Sequence, residues 1–375
     1  MSVLTKRPVL RWLVPATAAA AVIGGGAAVA TVAGAADPTL PERSAAQLLV
    51  DLQTARLDGL SGTVVQRADL GLPPIVSLAG MLGDDNLASL VDGQHTLRVW
   101  YAGPDKARVS LLGGNAQTDV IKNGTDAWIW SSRAKTATHA KIDVDGDHGA
   151  PPAGVPASPQ EAADLALKAI EPSTQVSVGR TTKIAGRDAY ELNLIPKDHA
   201  SLVGQVSIAI DAAEHVPLRF RLYPSASDKP AFEVAFTMVS FDRPDDAQFV
   251  FNPPAGTKVT EAGDQLKGEE ARKQVEAHKQ ELAKELAKQP AAARPQIIGE
   301  GWTTVVMAKV DTKQEGADAP QISALLGQLP KVSGAWGSGR LFTSRIATGL
   351  LTDDGRVFFG AVSPDKLYEV AATHR

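Results

Sequence analysis

Apolar and polar positions fall into blocks of different period along this chain. From Pro41 to Leu57 the apolar residues Ala45, Leu48, Leu49, Leu52 and Ala55 recur at helical spacing, with Glu42, Arg43, Gln47, Asp51 and Gln53 elsewhere around the turn. One apolar stripe with polar residues around it predicts an amphipathic helix. Beyond Gly59 the pattern changes to short β runs at Ser61 to Arg67, Thr96 to Tyr101, Ala107 to Leu112, Thr118 to Asn123, Ala127 to Ser131 and Thr136 to Ile142. Gly103-Pro104-Asp105 and Asn123-Gly124 punctuate them as turns, so a meander of antiparallel strands is predicted.

Asp143 to Pro159 reads as a loop, and a helix then runs through Ile170. Ser158 can cap it, Pro159 suits the first helical position, and Glu161 can complete a capping box. Strands resume at Gln175 to Ile184, Asp188 to Leu194, Gly204 to Asp211, Pro217 to Tyr223 and Ala231 to Asp242. Residues 261–290 carry a dense mixture of Glu, Lys and Gln, with pairs such as Glu269 and Lys273 that suit a solvated helix. This segment reads as a linker helix or as one helix packed on the preceding unit. A second unit follows: strand Thr303 to Val310, helix Gln321 to Leu329, strands Arg340 to Ala347 and Val357 to Val362, and helix Asp365 to Ala371, with Asp353-Asp354-Gly355 as a hairpin turn. The expected division is 1–36, 37–260, 261–295 and 296–375.

Between the first two strands, Leu70 to Val91 is too apolar for an ordinary loop, and Pro73-Pro74, Gly80 and Gly83 prevent one long helix. Its residues Leu72, Ile75, Val76, Leu78, Met81 and Leu82 suit a satellite core or a mobile lid over a ligand cavity.

Composition narrows the picture. The chain has 375 residues and no cysteine, which excludes a disulfide framework, a thiolate metal site, a cysteine nucleophile and lipidation at a lipobox cysteine. Lys6, Arg7 and Arg11 precede a stretch from Trp12 to Ala36 without a charged residue, ending in Ala33-Gly34-Ala35-Ala36-Asp37. This pattern suits a cleaved export signal or a retained N-terminal membrane anchor. Both place the rest of the chain outside the cytoplasm. Loss of residues 1–36 removes three positive charges and no negative one, so a net charge of −4 becomes −7. An acidic chain lacks the basic face that nucleic-acid binding needs.

Catalytic patterns are missing from the sequence. The seven histidines, His95, His139, His148, His199, His215, His278 and His374, do not fall at metal-ligand spacing. No cofactor motif, nucleophile elbow or Walker loop is present. Asp143-Val144-Asp145-Gly146-Asp147 opens like an EF-hand, yet His148 stands where Gly is needed and Gly154 where Glu is needed. Neither metal nor cofactor is therefore expected, and the expectation is a protein that is not an enzyme.

The suggestive feature is what the strands present. Alternation places Trp128 and Trp130 on one face, with Ile129 on the other. Leu218, Phe220 and Leu222 share a face, as do Phe232, Val234, Phe236 and Met238. Such stripes suit a core; on a curved sheet incompletely covered by helices, they also suit a cavity for something apolar. Trp336, within Ser333-Gly334-Ala335-Trp336-Gly337-Ser338-Gly339, suits an exposed anchor for a partner or a buried turn residue.

The order of elements, ending in Phe241-Asp242-Arg243-Pro244-Asp245-Asp246-Ala247-Gln248-Phe249-Val250-Phe251-Asn252-Pro253-Pro254-Ala255-Gly256, resembles the LolA family. Val99-Trp100-Tyr101-Ala102-Gly103-Pro104-Asp105-Lys106-Ala107-Arg108 is similar to that family's second strand and turn, and Ile121 to Trp130 to one of its hairpins. The resemblance covers about residues 40–260. It implies an α+β, mainly β fold: a half-open, strongly curved antiparallel β-barrel covered by helices, with a small C-terminal α+β unit added. It also implies that acyl chains of a lipid or lipoprotein bind in an apolar interior. Relatives in the RseB-like branch are envelope-stress regulators that contact an anti-sigma factor, which implies an envelope protein partner as the alternative. The missing lipobox cysteine and the additional residues 296–375 depart from the carriers.

Overall fold

The computed structural model describes residues 39–72, 93–113, 116–141, 172–261, 295–309 and 327–374. Several expectations lie outside the described residues: the export signal or anchor, the insertion beyond Leu72, the Asp143 to Asp147 loop, the helix through Ile170, the linker helix, and residues 321–326. Among the described residues no helix is long and apolar enough to cross a membrane.

The first helix, α1, spans Ala45–Thr54. Ser44 caps it: the Ser44 Oγ accepts from the Gln47 N–H at 3.2 Å, and the Gln47 Oε1 accepts from the Ser44 N–H at 2.8 Å. That reciprocal pair satisfies two donors that a bare helix start would leave open.

Strands β1 (Leu60–Ala68), β2 (Gly93–Tyr101), β3 (Lys106–Gly113), β4 (Ala116–Asn123), β5 (Asp126–Ser131) and β6 (Thr136–Lys141) form the first meander. β7 (Thr174–Val178), β8 (Thr182–Ile184), β9 (Arg187–Pro196), β10 (Val203–Asp211), β11 (Pro217–Pro224) and β12 (Phe232–Ser240) form the second. The single strand expected over Gln175 to Ile184 is divided in two at Gly179. Both pieces pair with the longer β9, and a Cβ at Gly179 would lie 2.6 Å from the Asn193 Nδ2.

The two meanders join into one thirteen-stranded sheet in the order β13-β6-β5-β4-β3-β2-β1-β12-β11-β10-β9-β7, where β13 is Lys258–Glu261 and β8 pairs with β9 off this path. The sheet is mainly antiparallel, open and curved, and its terminal strands do not close into a barrel. The seam is β1 against β12, the first strand of one meander against the last of the other. An irregularity at Thr63/Val64 leaves Thr237 as an extra residue in β12: Thr63 lies opposite Met238, and Val64 opposite Phe236.

Residues 295–374 add a six-stranded sheet, β14 (Gln296–Ile298), β15 (Val305–Lys309), β16 (Lys331–Gly334), β17 (Gly337–Thr343), β18 (Thr348–Thr352) and β19 (Arg356–Gly360), in the order β14-β15-β19-β18-β17-β16. The Asp353-Asp354-Gly355 turn joins β18 to β19. Helix α2 (Pro364–Thr373), capped by Ser363, buries Leu367, Val370 and Ala371 with Val305, Leu350 and Phe358. Contacts also link the sheets: Ser201 bridges Val362, Trp302 Nε1 donates to Thr174 Oγ1 at 2.7 Å, and Arg345 pairs with Asp69 at 2.8 Å.

Candidate functional site

Pairing registers settle which side chains share a face. Leu192, Ile208, Phe220, Val234 and Gln66 lie opposite one another across β9, β10, β11, β12 and β1. α1 packs on this face, with Leu48 against Tyr190, Leu192 and Ile210. Moving two residues along β1 brings Val64, then Gly62, to the same face. Gly62 lies opposite Val99, Val99 opposite Val109, Val109 opposite Val120, and Val120 opposite Ile129. The α1 face thus carries an aliphatic row across four strands, β2 to β5. It runs from Val99, buried, through half-buried Val109, to Val120 at 50% and Ile129 at 55% exposed. A parallel row holds Val64, Leu97 and Leu111.

The opposite face is different in kind. Around β9 to β12 it carries an ionic ladder: Arg67 and Arg221 both pair with Glu233, and Arg219 pairs with Glu191 at 2.8 Å. Ser207 donates to the same Glu191 at 2.6 Å. Burial, reinforced by neighbouring Arg221, lowers the Arg219 pKa from its ordinary value; burial acts the same way on Arg221, but Glu233 outweighs it and the net shift is upward. Around β3 to β6 the same face lies beneath a strap, residues 246–261. Phe249 is buried there, Arg108 Nη1 donates to the Gln248 carbonyl at 3.0 Å, and Phe251 packs 5.2 Å from Trp128 and 6.0 Å from Trp130.

The residues expected to line one cavity are therefore divided. Leu218, Val234 and Phe236 sit in the main core, and Phe232 packs against it. Phe220 meets Phe232 edge-on at 6.3 Å, and Leu222 lies opposite Phe232. Trp128 and Trp130 do not join them. Counting register by register from β5 to β1 puts the two tryptophans on the strap face, where Phe251 covers them. Met238 leaves the stripe as well and is 65% exposed, because the extra residue Thr237 inverts the alternation after Phe236 and brings Val239 and Phe241 to the core instead. Of the lid candidates only Leu72 is described, and it is half-buried. Sequence reasoning missed Val99, Val109, Val120 and Ile129. Their signal was one β-branched aliphatic per strand in opposite phase to the tryptophans.

In the C-terminal sheet Trp336 is 4% exposed and stacks on Tyr368 at 5.5 Å and 16°. It is a core residue and not an exposed anchor: the turn after Gly334 folds its ring back under α2. Burial, helped by Asp365, pushes the Tyr368 hydroxyl up. The sheet's other face presents a different row, Ile297, Val306 and Phe359 at 56%, 41% and 50% exposed, in register across β14, β15 and β19. Among the described residues no group of three or more His, Asp or Glu side chains is arranged to hold a metal ion.

Solved structures of comparable architecture exist. The chain is similar in fold to MucB and to LolA superfamily proteins. Against the Pseudomonas aeruginosa MucA/MucB complex the identity is 14% and the TM-score 0.42, with 87% of this chain and 96% of that chain covered. A LolA superfamily protein from Nitrosomonas europaea matches at 12% identity and TM-score 0.21, covering 56% of this chain and 99% of that one. An uncharacterized conserved protein from Thermus thermophilus matches at 10% identity and TM-score 0.33, covering 57% and 96%. No family model matches the chain, and no curated protein matches it in sequence.

Proposed function

We propose that this chain is a non-enzymatic extracytoplasmic protein, exported or held at the membrane by residues 12–36, whose α1 face takes the acyl chains of a lipid or lipoprotein. The observation that carries the reading is the aliphatic row from Val99 to Ile129, which leaves the core and continues onto exposed sheet. Its extent from Val99 to Ile129 is about 14 Å at ~4.8 Å per strand step, which suits a stretch of acyl chain laid across the strands. Each buried methylene contributes ~0.8 kcal/mol, so covering such a row needs no dedicated polar contact.

The test is native mass spectrometry of residues 37–375 purified from a membrane-containing host, with the bound lipid extracted and identified. A stoichiometric acyl species that disappears in the Val120→Asp/Ile129→Asp variant is the expected result. A clean apo mass that resists added lipid would overturn the reading.

A second reading, an RseB-like regulator that docks an envelope protein through residues 296–375, is favoured by the exposed Ile297, Val306 and Phe359 row. It predicts that Phe359→Asp abolishes partner binding while lipid occupancy is unchanged.

A further inference from the structure

We infer that the apolar face of the C-terminal sheet opposite α2 is the docking site of this chain's own residues 321–326, part of the connection from β15 to β16. That face carries Ile297, Val306, Phe359, Gly349 and Phe342 in register across β14, β15, β19, β18 and β17. Ile297, Val306 and Phe359 stand exposed on it. The connection runs from Lys309 to Lys331, and its residues 310–326 lie outside the described ones. In sequence, Asp311 to Pro320 is mostly polar, whereas Ile322, Leu325, Leu326 and Leu329 recur at helical spacing. An apolar stripe of that kind needs an apolar surface to cover.

Three observations put the connection on this face. α2 already fills the other one, where Val305, Leu350 and Phe358 are fully buried. The second is the hand of the crossover. Adjacent strands of this sheet are antiparallel throughout, so β15 and β16, four strand steps apart, run parallel to each other. The Ser344 amide donates to the Ala347 carbonyl and the Asp353 amide to the Ser338 carbonyl, while the Leu341 amide donates the other way, to Pro330. Even-numbered residues of β17, Phe342 among them, therefore turn their N–H and C=O toward β18. For an L-residue in a strand running upward with its side chain toward the viewer, those groups point to the viewer's right. Seen from the Phe342 side with β15 and β16 running upward, β15 thus lies on the left and β16 on the right. Crossovers between parallel strands of one sheet are right-handed. Here the right-handed path passes in front of the viewer, over Phe359 and Phe342. The third observation is a contact. Arg340 points to the same side as Phe342, and its Nη1 donates to the carbonyls of Gly327 at 2.6 Å and Leu329 at 2.9 Å. The described end of the connection is tied to this face. The docking is independent of the acyl-chain reading. For the regulator reading it means that a partner binding at Phe359 competes with residues 321–326.

The chain has no cysteine, so one introduced thiol reports on the row without interference. In the full chain, Val306→Cys is expected to react with a bulky maleimide about tenfold or more slowly than Ala335→Cys in the exposed turn before Trp336. Adding Ile322→Asp/Leu325→Asp should bring the Val306→Cys rate up to that of the turn. Arg340→Ala, which removes the tie at Gly327, gives a second route to the same acceleration should the double variant fail to fold. Fluorescence of buried Trp336 reports folding in each. A Val306→Cys thiol that labels as fast as the turn thiol, or slow labelling that neither variant accelerates, would overturn the docking. Slow labelling that speeds up on dilution would overturn it too, by assigning the row to a second copy of the chain. No partner is needed for any of these rates, so the regulator reading stands or falls separately.

Discussion

Asp211 shows how much a single buried carboxylate can organise. Its side chain is 1% exposed and accepts from Arg187 Nε at 2.6 Å and Nη2 at 2.9 Å, and from the Ala213 and Glu214 amides at 2.9 and 2.7 Å. Burial alone would raise its pKa; these donors outweigh it and hold the carboxyl below the ordinary carboxylate value. With the folded value depressed, its stabilisation is present above the carboxylate range and is lost as pH falls through that range. Asp211→Asn should therefore cost about 2–4 kcal/mol at neutral pH, because Arg187 is left without its partner, and should make the denaturant midpoint less sensitive to acid. Urea unfolding at two pH values checks both. None of this was legible in the sequence, where Asp211 reads only as the end of a strand. Gly62 is similar: a Cβ there would lie 2.6 Å from the Met238 carbonyl and 2.8 Å from the Phe236 ring. The requirement for glycine comes from a strand far away in the chain.

At the scale of elements the sequence was more informative. Period-two alternation located most strands to within a few residues, and the helix expected from Asp365 to Ala371 is α2, which starts at Pro364 behind its Ser363 cap. Short edge strands such as β13, β14 and β16 escaped notice, since three or four residues are too few to show a period. Trp336 illustrates the limit from the other side. Flanking Gly and Ser left an exposed anchor and a buried turn residue both open, and the structure buries the ring against Tyr368 of α2. Trp336→Ala should accordingly lower the stability of the C-terminal sheet by about 3–5 kcal/mol through the cavity it leaves, while lipid occupancy stays unchanged. Calorimetry read alongside native mass spectrometry separates the two effects.

Among the described residues, polar contacts join the two sheets: the Ser201–Val362 bridge, the Trp302 bond to Thr174 and the Arg345–Asp69 pair. Arg345 also donates its amide to the Leu70 carbonyl at 2.7 Å, at the point where the chain leaves β1. Polar contacts of this kind transmit less cooperativity than a shared apolar core. The variant Trp302→Phe/Arg345→Ala is expected to resolve thermal unfolding into two transitions, one per sheet. A single transition shared by both sheets in that variant would show that the backbone bridge alone couples them.

The sequence by itself determined the elements, because each one's period and caps are written within a dozen residues, and it determined the mainly β class and the lack of catalytic motifs. It also placed Ile129 opposite Trp128 and Trp130. Only the tertiary structure decided which of those faces counts. Joining β1 to β12 is a pairing between residues more than 160 positions apart, such as Arg67 with Glu233, and one extra residue at Thr237 inverts every side chain beyond it. That seam puts the aliphatic row of β2 to β5 on the face that α1 packs against and the tryptophans on the opposite one, and it is a long-range pairing that no local pattern encodes.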